Sequence, residues 1–119
     1  MMFNWPDSTF QINQVTDRVY EKDISNPLIQ ISKVIAENSR VLDIGAGNGS
    51  LGCLFSQQGK SIYIDGIEPN SVAANIAKPY YQKIHIGYFN DFIDTIDFES
   101  YDYIVFSDVI EHIENSQVF

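Results

Sequence analysis

A short glycine-rich run contains the residue types best suited to bind a ligand. Residues 41–50 read VLDIGAGNGS, an apolar stretch with one acid followed by three glycines at alternate positions. The pattern predicts a buried strand, a tight turn and the start of a helix, so that a ligand can lie against bare backbone at a helix N-terminus. Asp43 adds a carboxylate beside this turn. Taken alone, the glycines fit a tight turn without a ligand equally well.

A second acid follows at a spacing that nucleotide-binding folds use. Residues 61–70 read SIYIDGIEPN, an apolar strand pattern that reaches Glu68, twenty-three residues after Gly45. An acid at about 20 residues beyond the glycine turn, at the end of the second strand, can bind the hydroxyls of a ribose. The two features together favour a cofactor site at the carboxyl ends of parallel strands.

Three motifs in this order resemble those of class I S-adenosylmethionine-dependent methyltransferases, in the broad group that includes small-molecule and sugar methyltransferases. They occupy residues 41–50, 66–70 and 101–113, and the likeness covers roughly residues 26–115. The resemblance implies S-adenosylmethionine as cofactor and an α/β fold, with a Rossmann-like doubly wound parallel sheet of strand order 3-2-1-4. The family fold continues with a fifth strand and a hairpin, so we expect a truncated sheet that lacks the C-terminal strands.

The elements that position these motifs follow from the apolar periodicity. Residues 1–25 show no firm period, and we expect an N-terminal arm or short helix that covers part of the site or packs on the sheet edge. Residues 26–119 make up the partial S-adenosylmethionine-binding domain. The predicted strands are about 40–44, 61–67, 82–87 and 101–107. The predicted helices run from Pro27 to 38–39, over about 48–58 and 70–78, and from near 108–111, while 90–97 fits a short helix or a loop.

The resemblance assigns roles to residues near the first two strands. Asp43 would face the ammonium group of the cofactor, or cap the N–H groups of its own turn, and the two roles are compatible. Glu68 would accept hydrogen bonds from both ribose hydroxyls, since a carboxylate offers two oxygens to a vicinal diol; the alternative is an ordinary exposed acid. The residues expected to line the methionine part of the cofactor are Gly45, Ala46 and Gly47.

Other roles fall at the ends of the later strands. Pro69 would lie near the adenine, although it also suits a helix start, and Ser107 would make backbone contacts near the sulfonium. Relatives often place an acid directly after the glycine that ends the third strand, but here Tyr88 follows Gly87. We expect Asp91, or its neighbour Asn90, to bind the adenine instead. Two nearby aromatic residues, Phe89 and Phe92, would border the adenine or belong to the core.

The acids and histidine after the fourth strand have three interpretations, which we rank in order. In the first, Asp108 and Glu111 favour a helix N-terminus and His112 is packed. In the second, His112 is a general base that takes a proton from an acceptor hydroxyl, because its pKa lies near neutrality. In the third, Asp108, Glu111 and His112 hold a metal ion, which would need more ligands than these three provide. If one of these residues takes part in catalysis, we predict that it is His112, and we predict no metal.

Composition limits the classes of binding partner that we expect. The 119 residues carry 16 acids and 7 bases, a net charge of −9, which disfavours nucleic-acid binding. There is no long apolar run for a membrane span and no leader, and Cys53 is the single cysteine, so we expect a cytoplasmic protein. An open edge on the fourth strand would favour self-association or a partner domain that covers it.

The predicted function is a methyltransferase that uses S-adenosylmethionine and acts on a small molecule, with a hydroxyl acceptor such as a sugar or quinone-like compound. The 119 residues need not be active by themselves. The alternative is a non-catalytic cofactor-binding or structural module of a larger protein. A nicotinamide-dependent oxidoreductase fits less well, because Ser50 stands where the dinucleotide fingerprint has its last glycine.

Overall fold

The computed structural model describes residues 26–110, together with the backbone of residues 2–4. The four strands predicted from the sequence are all present, each within two or three residues of its expected ends. The strands are β1 (Met2–Asn4), β2 (Arg40–Ile44), β3 (Tyr63–Glu68), β4 (Lys83–Ile86) and β5 (Tyr103–Phe106). The helices are α1 (Pro27–Val34), α2 (Ser50–Gln57), α3 (Ser71–Ala77) and α4 (Ser107–Ile110), with short 3₁₀ turns at Lys78–Tyr80, Phe89–Phe92 and Phe98–Ser100.

The sheet has the predicted topology. Its order is β1-β5-β2-β3-β4, and the pairs β5–β2, β2–β3 and β3–β4 are parallel. Counted along the chain, the four parallel strands therefore lie in the order 3-2-1-4, which confirms the Rossmann-like prediction. The carboxyl ends of all four strands consequently meet at one edge of the sheet, where ligands bind in this class of fold.

The outer edge of β5 differs from the expectation. β1 pairs with it in antiparallel orientation, with Met2 opposite Val105 and Asn4 opposite Tyr103. We expected an arm or short helix in this part of the chain, because three residues are too few to produce a recognisable alternating pattern. Along these residues the chain itself pairs the edge that we expected another chain or domain to cover.

Helix ends follow local capping chemistry, with one correction to the predicted bounds. Asn26 caps α1 through its Oδ1, which accepts from the N–H of Ile29 at 3.4 Å. The helix ends at Val34 rather than at 38–39, because Ile35 adopts an extended backbone (ψ 127°) and its side chain is buried in the core. The following turn contains Asn38 at φ +66°, whose N–H donates to the carbonyl of Ser61 at 2.7 Å. This bond ties the turn to the segment before β3.

Alternate residues of the strands enter two separate apolar cores, as the pleat of a strand dictates. The first core lies under α1, α2 and α3, and the second lies under the connection between β4 and β5. Among residues 26–110, no helix is long and apolar enough to cross a membrane. The buried members of the first core include Leu28, Ile31, Val41, Leu51, Phe55 and Val105, and those of the second are Leu42, Ile44, Ile67, Tyr101 and Ile104.

Candidate active site

The glycine turn lies at the carboxyl edge of the sheet, between β2 and α2. The N–H groups of Gly45 and Ala46 both donate to the carbonyl oxygen of Ile67, at 2.9 and 3.1 Å. The turn is therefore fastened to the last residues of β3. Its position at the strand ends is the one that the sequence predicted.

The three glycines of the turn serve different purposes. All have positive φ, but a Cβ at Gly45 would lie 2.7 Å from the Cβ of Asp108, and one at Gly49 would lie 2.8 Å from Ala77. A Cβ at Gly47 would meet no atom within 4 Å. The first and last glycines therefore permit close packing within the protein, and Gly47 is the position where backbone faces open space. The sequence predicted a turn almost without side chains, and among its three glycines the structure restricts the open backbone to Gly47.

Glu68 is bonded to the turn as well as to its own loop. Its Oε1 accepts from the N–H of Gly47 at 2.7 Å, and its Oε2 accepts from the N–H of Asn70 at 2.9 Å. Glu68 is only 8% exposed, so it is not the ordinary exposed acid of the alternative interpretation. Because a carboxylate has about four acceptor positions, each oxygen can accept one further hydrogen bond. The residue can thus hold the turn and still bind a diol.

Asp43 is fully buried, and two hydroxyls donate to it. Its Oδ1 accepts from the hydroxyl of Ser107, and its Oδ2 accepts from the hydroxyl of Tyr81 at 2.6 Å. The side chain of Ser107 points inward to this carboxylate, and the predicted backbone contacts between Ser107 and the cofactor stay a prediction. Tyr81 was missed, since nothing in the local pattern before the third predicted strand marks it as a partner of the turn.

A small apolar cavity opens beside the turn. Its volume is about 260 Å³, and residues at the carboxyl ends of β2, β3, β4 and β5 all contribute to it. Pro69 borders it, at the side where the resemblance predicts an adenine. The faces of a flat aromatic ring suit this lining, which offers few polar groups. The lining residues are Ile44, Gly45, Ile67, Pro69, Gly87, Tyr88, Phe89, Phe106, Asp108 and Val109.

Asp91 and the two aromatic residues occupy distinct positions behind the end of β4. Asp91 does not line the cavity, and its Oδ2 instead accepts from the N–H of Tyr88 at 2.8 Å. Phe89 does border the cavity and packs edge-on against Phe106, with ring centroids 6.2 Å apart. Phe92 packs against His85 at 5.1 Å. A contact between Asp91 and an adenine stays a prediction.

A larger cavity of about 680 Å³ lies elsewhere, between the start of α1 and the outer faces of α2 and α3. Its described lining includes Asn48 and Gly49 of the turn, and neither cavity is lined by Asp43 or Glu68. Most of its walls are helix side chains such as Leu54 and Ile76. We place the candidate site at the smaller cavity, because its lining joins the ends of β2, β3, β4 and β5 to Gly45 of the turn and to Pro69, the residue after Glu68.

The predicted catalytic and metal-ligating residues lie mostly outside this description. Asp108 lines the cavity, while Glu111 and His112 fall outside the described residues. Within residues 26–110, no group of three histidine, cysteine or acidic side chains is arranged to hold a metal ion. General-base catalysis by His112 and the metal alternative both stay predictions.

A second pair of buried tyrosine and aspartate lies on the opposite face of the sheet. The hydroxyl of Tyr101 donates to Oδ2 of Asp65 at 2.6 Å, and within the described residues Oδ1 of Asp65 has no hydrogen-bond partner. Burial, followed by the hydrogen bond to Asp65, raises the pKa of Tyr101 well above its usual range. Asp65 precedes Ile67 by two residues on β3, so its side chain faces the second core, away from the glycine turn.

Comparisons with known proteins agree with this architecture. The protein family described as "Methyltransferase domain" matches residues 17–119 of this chain. The ubiquinone biosynthesis O-methyltransferase of Rickettsia typhi is 33% identical over 84 residues, which cover 67% of this chain and 33% of that protein. The tRNA1(Val) (adenine(37)-N6)-methyltransferase of Aliivibrio fischeri is 43% identical over 44 residues, or 37% of this chain and 19% of that protein.

The similarity to a solved structure is weaker. The plantazolicin methyltransferase BamL superposes with a TM-score of 0.47 at 23% identity, over 73% of this chain and 37% of that chain. The chain spans between 19% and 33% of the length of the curated relatives that it matches. The family match covers most of the chain and includes all three motifs that carried the resemblance. The chain belongs to the methyltransferase-domain family, whose class I members use S-adenosylmethionine as methyl donor.

Proposed function

We propose that this chain forms the cofactor-binding part of a methyltransferase that uses S-adenosylmethionine and methylates a small molecule. The observation that carries the proposal is the arrangement around Gly47. The open backbone of Gly47, the buried carboxylate of Glu68 that bonds to it and an apolar cavity lined by Gly45 and Pro69 all lie at the carboxyl ends of the parallel strands.

The residues fit this cofactor in their chemistry. Glu68 would bind the ribose hydroxyls through the acceptor positions left free by the N–H groups of Gly47 and Asn70. The bare backbone at Gly47 would lie along the methionine part, together with Gly45 and Ala46. Pro69 and Phe89 would border the adenine in the apolar cavity. Asp43 would act from beneath the turn, as a buried negative charge below the cationic end of the cofactor.

The chemistry required of the protein is limited. S-adenosylmethionine, when bound, supplies an activated methyl group on a sulfonium. The chain would align an acceptor with that methyl group and exclude water from it. If the acceptor is a hydroxyl, His112 would take up its proton, a contribution of about 10²–10⁴ in rate.

The small-molecule acceptor is supported by charge and by one relative. A net charge of −9 opposes binding to a phosphate backbone, and a related protein is named as a ubiquinone biosynthesis O-methyltransferase. Another relative is named as a tRNA adenine N6-methyltransferase, so the methylated atom differs among relatives. We propose a hydroxyl acceptor on a sugar or quinone-like compound.

Calorimetric titration tests the cofactor site. We expect binding of S-adenosylmethionine and S-adenosylhomocysteine but not of NAD. Glu68→Ala should weaken binding by about a hundredfold, since two charge-assisted hydrogen bonds are worth about 3 kcal/mol. Glu37→Ala is the matched control, because Glu37 also accepts from a backbone N–H, that of Ser61 at 2.7 Å, but next to the opposite ends of the strands. Equal affinities for both variants would contradict the assignment of Glu68.

Methyl transfer tests the reaction itself and uses the protein in its full natural length. Incubation with labelled cofactor and a panel of sugars, quinols and tRNA should label a hydroxylated small molecule. His112→Ala should lower kcat more than it weakens cofactor binding, and an equal loss of both would count against its role as a base. Cofactor binding without transfer to any acceptor would favour the non-catalytic module.

A further inference from the structure

Tyr81 lies in a space that three glycines leave open. Its side chain is only 8% exposed, and its ring occupies the positions that side chains would take at Gly49, Gly52 and Gly66. Cβ atoms at these positions would lie 3.1, 2.6 and 3.1 Å from ring atoms of Tyr81. The three glycines come from the end of the turn, the first turn of α2 and the middle of β3. We call this space the glycine slot.

The slot brings the hydroxyl of Tyr81 to the base of the turn. There it donates to Oδ2 of Asp43 at 2.6 Å and accepts from the N–H of Gly52 at 3.3 Å. Gly52 is the third residue of α2, and its N–H is one of the four that a helix start leaves without an intrahelical partner. The N-cap residue, Gly49, has no side chain to bond it. The tyrosine hydroxyl therefore does what an N-cap side chain does in most helices.

The hydroxyl consequently links both sides of the turn. Asp43 precedes the turn on β2, and Gly52 follows it on α2. Ser107 holds the other oxygen of Asp43 from the start of α4, and Glu68 holds Gly47 in the middle of the turn. Each of these bonds fixes the backbone that would lie along the cofactor.

We propose that Tyr81 is a positioning residue for the cofactor turn. It holds Asp43 and the start of α2 in a fixed relation and does not itself touch the cofactor. The proposal rests on the cofactor site argued above. A turn that is fixed before binding loses less conformational freedom when the cofactor binds, so affinity depends on the hydroxyl of Tyr81.

Tyr81→Phe tests this, with Tyr101→Phe as the matched control. Both substitutions keep the ring and remove a hydroxyl that donates to a buried aspartate at 2.6 Å. Both should lower the melting temperature. Titration with S-adenosylhomocysteine, at a temperature where every variant is folded, should give a Kd about tenfold higher for Tyr81→Phe and an unchanged Kd for Tyr101→Phe. A purely structural role would leave the Kd of both variants unchanged and would overturn the proposal.

Amide hydrogen exchange on the chain without ligand gives a second readout. Tyr81→Phe should speed exchange at Gly47 and Gly52 by about tenfold or more relative to wild type, and Tyr101→Phe should not. Unchanged exchange at both amides overturns the proposal even if the cofactor binds normally to wild type. Failure of the wild-type chain to bind S-adenosylhomocysteine, with exchange altered as expected, overturns the proposed cofactor site and the effect on affinity, but leaves the link between Tyr81 and the turn in place.

Discussion

The two faces of the sheet carry the same local arrangement with different surroundings. On each face a tyrosine hydroxyl donates at 2.6 Å to a buried aspartate, and the two tyrosines are 8% and 7% exposed. Asp43 has both oxygens bonded and lies directly before the glycine turn, whereas Oδ1 of Asp65 has no partner within the described residues. Burial of an acid therefore does not by itself indicate a binding site. Asp43 differs from Asp65 because hydrogen bonds to both of its oxygens connect it to the elements around the glycine turn.

An arginine lies near the tyrosine–aspartate pair on the second face. The guanidinium carbon of Arg40 lies 4.2 Å from the ring centroid of Tyr63 and 5.3 Å from that of Tyr101, on the face that contains Asp65. These contacts place a cation near the pair on the second face, as cation–π packing allows. Asp43 accepts hydrogen bonds from the hydroxyls of Tyr81 and Ser107, and a role for its carboxylate beside a cationic ligand stays a prediction.

The largest expected effect comes from Asp43→Asn. One of its two oxygens becomes an NH₂ group, so the hydroxyl on that side loses the buried acceptor for its own proton. We expect a loss of about 3 kcal/mol in the free energy of unfolding, measured by urea denaturation, together with weaker S-adenosylhomocysteine binding. A stability equal to that of wild type would show that the two tyrosine–aspartate pairs are equivalent.

Gly52→Ala should cost about 2 kcal/mol, because its Cβ would lie 2.6 Å from the ring of Tyr81 and 2.8 Å from the carbonyl oxygen of Tyr80. Gly47→Ala is the control within the same turn. It meets no atom within 4 Å and carries only the strain of φ +58°, about 1 kcal/mol. Thermal unfolding distinguishes the two, and equal losses would argue that the glycine slot is not tightly filled.

Asp65→Asn should change stability by less than about 1 kcal/mol, or increase it. The amide oxygen can still accept from Tyr101, and replacing a carboxylate that has an unpaired buried oxygen removes a desolvation cost. Urea denaturation beside Asp43→Asn gives the comparison directly. A loss as large as that of Asp43→Asn would mean that the second pair is as tightly integrated as the first.

The smallest effect concerns alkaline pH. The raised pKa of Tyr101 means that the folded state holds this proton more tightly than the unfolded chain, whose tyrosines titrate near pH 10. The contribution is fully present below about pH 10 and is lost as the pH rises towards the folded pKa. The stability difference between wild type and Tyr101→Phe should therefore be constant below about pH 10 and shrink as the pH rises above it. A constant difference would contradict the raised pKa.

Much of the architecture could be predicted because its signals are local. The apolar runs around Val41, Ile64 and Ile104 identify strands, and Asn26, Gly59 and Asn70 mark helix ends at positions that the structure confirms. The end of α1 was placed four or five residues too late, because the burial of Ile35 in an extended conformation depends on tertiary packing. Local capping and periodicity contain no information about such packing.

The candidate site could be predicted only as far as its backbone. Glycine spacing located the turn and Glu68, since both depend on short-range geometry. The partners of Asp43 come from 38 and 64 residues further along the chain, and a tyrosine reveals a bond of that kind only when the fold brings it there. The same reasoning explains why the distinct purposes of Gly45, Gly47 and Gly49 were not foreseen.

The pairing of β1 with β5 has a consequence for the order of folding. Phe3 lies opposite Ile104, so about a hundred residues of chain separate the two partners. Closing so long a loop has a large entropic cost, and contacts of this kind form late. During synthesis the first strand leaves the ribosome well before its partner exists. We expect its amides to become protected last in pulse-labelled refolding, after the four parallel strands have assembled.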